Sequence, residues 1–118
     1  MAADGDPGAL LREERQEALD RLAALERDFS AIVEAAGQAN ADDEHDPEGA
    51  TIAFERQHVA ALLDQASRQL AAVDAAIARL EAGQYGRCER CGEPIAAARL
   101  VARPTAVTCI RCASRRSG

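Results

Sequence analysis

Two Cys-x-x-Cys pairs, Cys88-Glu-Arg-Cys91 and Cys109-Ile-Arg-Cys112, stand 17 residues apart in a chain of 118. No other feature restricts the possible folds as strongly. A two-residue gap lets both thiolates of one turn reach a single ion, and two such pairs complete a tetrahedron. Gly86 and Gly92 flank the first pair and give a tight knuckle its backbone freedom. Four protein thiolates leave no open coordination position. The spacing therefore predicts one structural Zn2+ held by Cys88, Cys91, Cys109 and Cys112. Paired redox thiols or disulfides are the competing reading of the same residues. Disulfides would want a secretory context, and Met1–Gly8 has neither a basic nor an apolar signal region. No run approaches 18 apolar residues, so no transmembrane helix is expected. The expected compartment is the cytoplasm, with reduced thiols.

Composition explains why a metal staple would matter. Leu, Ile, Val and Phe total 22 residues, about a fifth of the chain, while Ala alone totals 28. Ala buries little area, so a thick globular core is out of reach. Trp is absent and Tyr and Phe total three, which removes aromatic stacking on single-stranded nucleic acid as a main device. Order must come from helix pairing and from the metal.

The rest of the chain is patterned for helices. Asp6 is placed as an N-cap with Pro7 at the first helical position. From Pro7 to Gly37 a seam runs through Leu11, Arg15, Ala18, Leu22, Leu25, Phe29, Ile32 and Ala36, alternating steps of four and three. Gly37 and Asn40 then read as a stop. A second seam, from about Ala50 to Ala82, runs through Ile52, Glu55, Val59, Leu62, Ala66, Leu70, Val73, Ile77 and Leu80. Gly83 follows as the residue just past the helix end. Two helices of roughly 30 residues are each about 45 Å long, and the short linker makes them antiparallel. The fold class expected is mostly α: a long antiparallel coiled-coil helical hairpin, residues 1–83, then a small four-cysteine zinc-finger module, residues 84–118. The six residues after Cys112 leave room for a short tail or helix. A plain hairpin, or part of a helical bundle, is the alternative for the first part.

Charge divides along the same boundary. Residues 1–83 carry 7 Arg and 18 acidic residues, net −11, and residues 84–118 carry 7 Arg and 2 acidic residues, net +5. The hairpin tip, residues 41–50, concentrates Asp42, Asp43, Glu44, Asp46 and Glu48 within seven residues, followed by Ala50. Two readings stand: a solvated acidic loop, or carboxylates presented to a cation or basic surface of a partner. The spacing does not match an EF-hand loop. His45 and His58 read as solvent-facing. The basic patch, Arg87, Arg90, Arg99, Arg103 and Arg111, either offsets the zinc–thiolate charge and docks on an acidic protein, or contacts phosphates. No nucleophile–base pair, phosphate-binding Gly loop or open metal site is present, so a binding protein is expected, not an enzyme.

The run Gly83-Gln-Tyr85-Gly86-Arg-Cys88-Glu-Arg-Cys91-Gly92-Glu-Pro-Ile95, then Arg99-Leu100-Val-Ala102-Arg-Pro104 and Cys109-Ile-Arg-Cys112, resembles the DksA/TraR family of bacterial zinc-finger regulators. The close match covers about 30 residues, and the acidic-tipped hairpin before it resembles the family in layout. The chain reads as an actinobacterial-like variant. The resemblance implies a coiled-coil hairpin, a zinc finger with four cysteine ligands and a short C-terminal helix. It implies binding to RNA polymerase and not to DNA directly, with the hairpin in the secondary channel and its acidic tip near the catalytic centre. It implies a transcription regulator, here expected in the cytoplasm and as a monomer. A zinc-finger nucleic-acid binder or a protein adaptor is the alternative. The family's tip pattern is Asp-x-x-Asp-x-Ala. Counted back from Cys88 without gaps, those positions hold His45, Glu48 and Ala50. Asp43 and Asp46 keep the acid spacing, but Glu48 then stands where Ala is expected. The tip is acidic and divergent.

Overall fold

The computed structural model describes residues 6–40 and 47–116. Four helices follow in order: α1 (Pro7–Asn40), α2 (Pro47–Glu81), α3 (Ala97–Ala102) and α4 (Ile110–Arg116). The described residues contain no strand, and one isolated antiparallel bridge joins Arg87 to Pro94. The mostly helical class, with a long hairpin ahead of the cysteines, is as expected.

Local chemistry accounts for the helix ends. The Gly8 N–H donates to the Asp6 carboxylate at 3.1 Å, and the Leu10 N–H reaches the Asp6 carbonyl at 3.1 Å. Asp6 is thus the N-cap, with Pro7 contributing no orphan donor. At the end of α2, Gly83 has φ +76°. The Gln84 N–H bonds the Arg79 carbonyl at 2.8 Å and the Gly83 N–H bonds the Leu80 carbonyl at 3.1 Å. This crossed pair is a Schellman cap, and it requires the left-handed residue that Gly supplies.

Two boundaries differ from expectation. α1 runs through Gly37 to Asn40, and α2 starts at Pro47, not near Ala50. A single Gly costs a helix only about 1 kcal/mol relative to Ala, too little to stop one already 30 residues long. Pro47 fits the first position of α2, where its missing N–H is not needed. Of the acidic tip, Asp42, Asp43, Glu44 and Asp46, with His45, lie outside the described residues. Glu48 falls in the first turn of α2, and Ala50 is exposed on the same helix.

The chain forms two compact units, one of Met1–Glu17 with Leu70–Gly118 and one of Ala18–Gln69. In the first, Leu11 and Val73 are fully buried, Ala76 nearly so, and Ile77, Leu80 and Tyr85 pack against them. Ala76 lies off the expected seam, because the apolar stripe of α2 widens where Tyr85 also covers it. Arg15, the polar member of the α1 seam, pairs with Asp74 at 2.6 Å. A second cluster joins Ile95 and Leu100 to three of the cysteines. Among the described residues of the unit Ala18–Gln69, Ala18, Leu25 and Ala66 are buried, while Leu22, Phe29, Ile32, Val59 and Leu62 are half-buried. Glu55, placed on the seam by spacing, is exposed. Asp64 and Arg68 pair across one turn of α2. None of the helices searched is long and apolar enough to cross a membrane.

Candidate metal centre

The first cysteine pair sits on a knuckle closed by backbone bonds. The Cys88 N–H donates to the Glu93 carbonyl at 2.8 Å and the Gly92 N–H to the Cys88 carbonyl at 2.9 Å. The Ile95 N–H reaches back to the Gly86 carbonyl at 2.7 Å. Gly92 has φ +79°, the left-handed conformation that turns the chain back after Cys91. The second pair is carried by α4. Cys109 immediately precedes the helix, its carbonyl accepting from the Ala113 N–H at 2.9 Å, and Cys112 lies in the first turn. The Glu89 N–H to Val107 carbonyl bond, 2.9 Å, ties the two pairs together.

These elements bring all four sulfur atoms within 4.8 Å of one another. The Sγ atoms of Cys91 and Cys109 are 3.8 Å apart, and all four cysteines are free thiols. A tetrahedral Zn2+ with Zn–S bonds of about 2.3 Å has S···S edges of about 3.8 Å. The donor set therefore fits zinc in size, number and softness. Cys88, Cys109 and Cys112 are buried and Cys91 is exposed, so the centre is reached from one side. With four thiolates bound, zinc supplies bracing and keeps no position for a substrate.

The thiols are primed unequally. Burial pushes the Cys88 thiol up, but the N–H groups of Cys109, Cys91 and Arg90 outweigh it and bring it down to about 6. The Cys112 N–H, at the start of α4, lowers Cys109 against the opposing effect of burial. Cys112 is pushed up to about 12, first by burial and then by the thiols of Cys109, Cys88 and Cys91. Crowded sulfurs resist a shared negative charge, and a dication at their centre removes that resistance.

The arginines around the centre divide by role. Arg87 Nη1 donates to the Gly92 carbonyl and Arg99 Nε to the Thr108 carbonyl, both at 2.9 Å. Arg90, Arg103 and Arg111 are exposed. Sequence reading missed two tethers. Arg79 Nη2 donates to the Arg87 carbonyl at 2.6 Å and to the Gln84 carbonyl at 3.3 Å. Tyr85 donates its hydroxyl to the Pro104 carbonyl at 2.7 Å. Both bind the end of α2 to the cysteine loops. Neither has a spacing signature, since the acceptors are backbone carbonyls.

Comparison with known proteins agrees with this geometry. Residues 83–118 match the family described as prokaryotic dksA/traR C4-type zinc finger. A DksA of Caulobacter vibrioides, named an RNA polymerase-binding transcription factor, is 44% identical over 52 residues. That match takes in 44% of this chain and 37% of the relative. An uncharacterized protein of Aquifex aeolicus is 49% identical over 41 residues, 35% of this chain and 28% of that protein. The chain thus spans well under half the length of the curated relatives it matches. The structure of transcription factor DksA2 from Pseudomonas aeruginosa is similar over 98% of this chain and 88% of that one, with a TM-score of 0.59 and 28% identity. The chain thus carries a dksA/traR C4-type finger at residues 83–118 on a helical framework similar to DksA2 along nearly its whole length, which supports a place in the DksA/TraR family.

Proposed function

We propose that the chain is a cytoplasmic transcription regulator that binds RNA polymerase as a monomer. The hairpin enters the secondary channel and sets its acidic tip near the catalytic centre, while the zinc is structural. The observation that carries this reading is the C4-type finger joined to a hairpin similar to that of a transcription factor named DksA2. Charge and dimensions support it. The unit Ala18–Gln69 has 11 acidic residues and 4 Arg, which suits a basic-lined passage. Two packed helices are about 20 Å across, narrow enough for a pore. Carboxylates brought near a Mg2+-centred site act on the largest local charge there, and contact with substrate is not required. The proposed partner-binding residues are Asp42, Asp43, Glu44, Asp46, Glu48 and Ala50. The divergence of the tip from Asp-x-x-Asp-x-Ala bears on the size and sign of the transcription effect more than on docking.

The test is affinity capture of the host polymerase by the zinc-loaded chain, with a crosslinker placed at Asp46. Recovery of the large catalytic subunits is expected. Failure of both capture and crosslinking counts against the reading. Replacing Asp43, Asp46 and Glu48 together by Ala should abolish the effect on transcription and leave the zinc content at one per chain. The nucleic-acid alternative predicts salt-dependent gel shifts with the free chain. Arg87 and Arg99 already hold finger carbonyls, which disfavours it.

A further inference from the structure

Among the described residues of the unit Ala18–Gln69, helix pairing leaves Phe54 and Val33 in water, Phe54 the more fully. Phe54, on α2, is 72% exposed, more than Val33, Val101 or Ile110, the other exposed large apolar residues described. It stands beside an open groove of about 420 Å3 between α1 and α2. Ile32 and Val59, both half-buried, form the apolar floor, and Asp28, Glu55 and His58 line it with Phe54. The groove has a local cause. Glu55 occupies a seam position between Ile52 and Val59, and a carboxylate does not bury against the facing helix. The seam therefore opens at Glu55, and Phe54 flanks the gap without filling it.

An aromatic ring held in water beside an apolar cleft is the usual anchor of a protein interface. The charges say what seats there. Two carboxylates line the groove, and the unit as a whole carries 11 acidic residues to 4 Arg. A second copy of this surface would bring like charges together, which opposes self-pairing. An apolar side chain flanked by Arg or Lys satisfies both the floor and the rim.

We propose that the Phe54 groove is a docking site for a segment of RNA polymerase that presents an apolar side chain between basic ones, a contact separate from the acidic tip. This rests on the polymerase reading above. Phe54 and Ile32 supply the buried contact, and Asp28 and Glu55 set the charge preference. Docking here adds affinity and orientation, while the tip carries the effect on catalysis.

The experiment measures affinity of the zinc-loaded chain for purified host core polymerase at low and moderate salt. The chains compared are wild type, Phe54→Ala, and the Asp28→Asn/Glu55→Gln double variant. Phe54 is exposed, so Phe54→Ala should keep the helical circular dichroism and zinc content of wild type. Its affinity should fall by about tenfold or more, as for an interface anchor. The double variant should bind severalfold more weakly and lose part of the salt dependence. Wild-type affinity in Phe54→Ala, with polymerase binding intact, overturns this inference alone. Absence of polymerase binding by the wild-type chain overturns the functional reading and this one with it. A wild-type dimer that Phe54→Ala converts to monomer also overturns it, because the groove would then be filled by a second copy.

Discussion

The unit that holds the cysteines and the unit Ala18–Gln69 draw on the same two long helices, yet they are ordered by different means. The first buries Leu11, Val73, Ala76, Ile95 and three cysteines, and adds side-chain donors from Arg79, Tyr85, Arg87 and Arg99 to backbone carbonyls. The second buries only Ala18, Leu25 and Ala66 among its described residues and leaves Phe54 and Val33 in water. Small seam residues can hold two helices together but cannot enclose much apolar area. Loops without a core need fixed points, and the metal and the carbonyl-directed donors provide them. The contrast separates a braced base from a charged, partly apolar surface suited to meeting another molecule.

Metal removal gives the largest expected break in this contrast. Structural zinc in finger peptides contributes about 10–16 kcal/mol of apparent binding free energy, more than any single side chain here can. Chelation, or Cys88→Ser, should release the amides of Cys88, Glu89, Gly92 and Ile95, whose bonds define the knuckle. Hydrogen exchange within Ala18–Gln69 should change little. Equal loss of protection in both units would show that the hairpin depends on the metal too, and the distinction would fail.

Core truncation sharpens the comparison at lower cost. Leu11 is fully buried against Val73 and Ala76, so Leu11→Ala should destabilise by about 2–5 kcal/mol. Leu25 is 9% exposed, and the other buried members of its unit among the described residues are Ala18 and Ala66. Leu25→Ala should cost less than Leu11→Ala, since fewer large neighbours are left around the gap. Urea unfolding of the two variants decides this, and a larger loss for Leu25→Ala would reverse the assignment of the braced unit.

Tyr85 is a smaller and more specific probe. Burial, and secondarily the Glu14 carboxylate, hold its phenol above the ordinary value of 10.0. The folded state thus favours the neutral ring. Its contribution to stability is complete below about pH 10, the unfolded value, and is lost as pH rises from there through the folded value. The chain has one Tyr and no Trp, so phenolate absorbance reports this group alone. A midpoint at or below about 10 would contradict the packing. Tyr85→Phe, which removes the bond to the Pro104 carbonyl, should cost about 0.5–1.5 kcal/mol.

Much of this was legible in the sequence, for identifiable reasons. The cysteine spacing determines which donors can share an ion, and the structure gathers those four. The Asp6–Pro7 start and the Gly83 stop are local chemistry, readable within a few residues. The seam positions of α1 are all buried or half-buried, because a heptad pattern specifies one face directly. Gly37 misled because a breaker must outweigh the helix on both sides of it, and one Gly does not. The Arg79 and Tyr85 tethers were invisible because a backbone carbonyl carries no residue type to look for. Nor did spacing reveal that the base of the hairpin packs with the cysteine loops, since Leu11 and Val73 meet only after the chain has turned.

The pair of Arg15 and Asp74 is the smallest effect and a strict test of what braces the base. It joins residues 59 apart in sequence at 2.6 Å, and both side chains keep nearly half their surface in water, 42% and 49%. An ion pair in that setting gains little, because water screens the attraction and two long side chains lose rotamer freedom. Asp74→Asn should therefore cost less than about 1 kcal/mol, and raised salt should erase most of that difference. A double-mutant cycle of Arg15→Ala with Asp74→Ala isolates the pairwise part from the packing of the Arg15 stem along the seam. A coupling free energy above about 2 kcal/mol, insensitive to salt, would mean that the pair is desolvated in solution. The braced unit would then owe part of its order to charge, and its contrast with Ala18–Gln69 would rest less on buried side chains and metal.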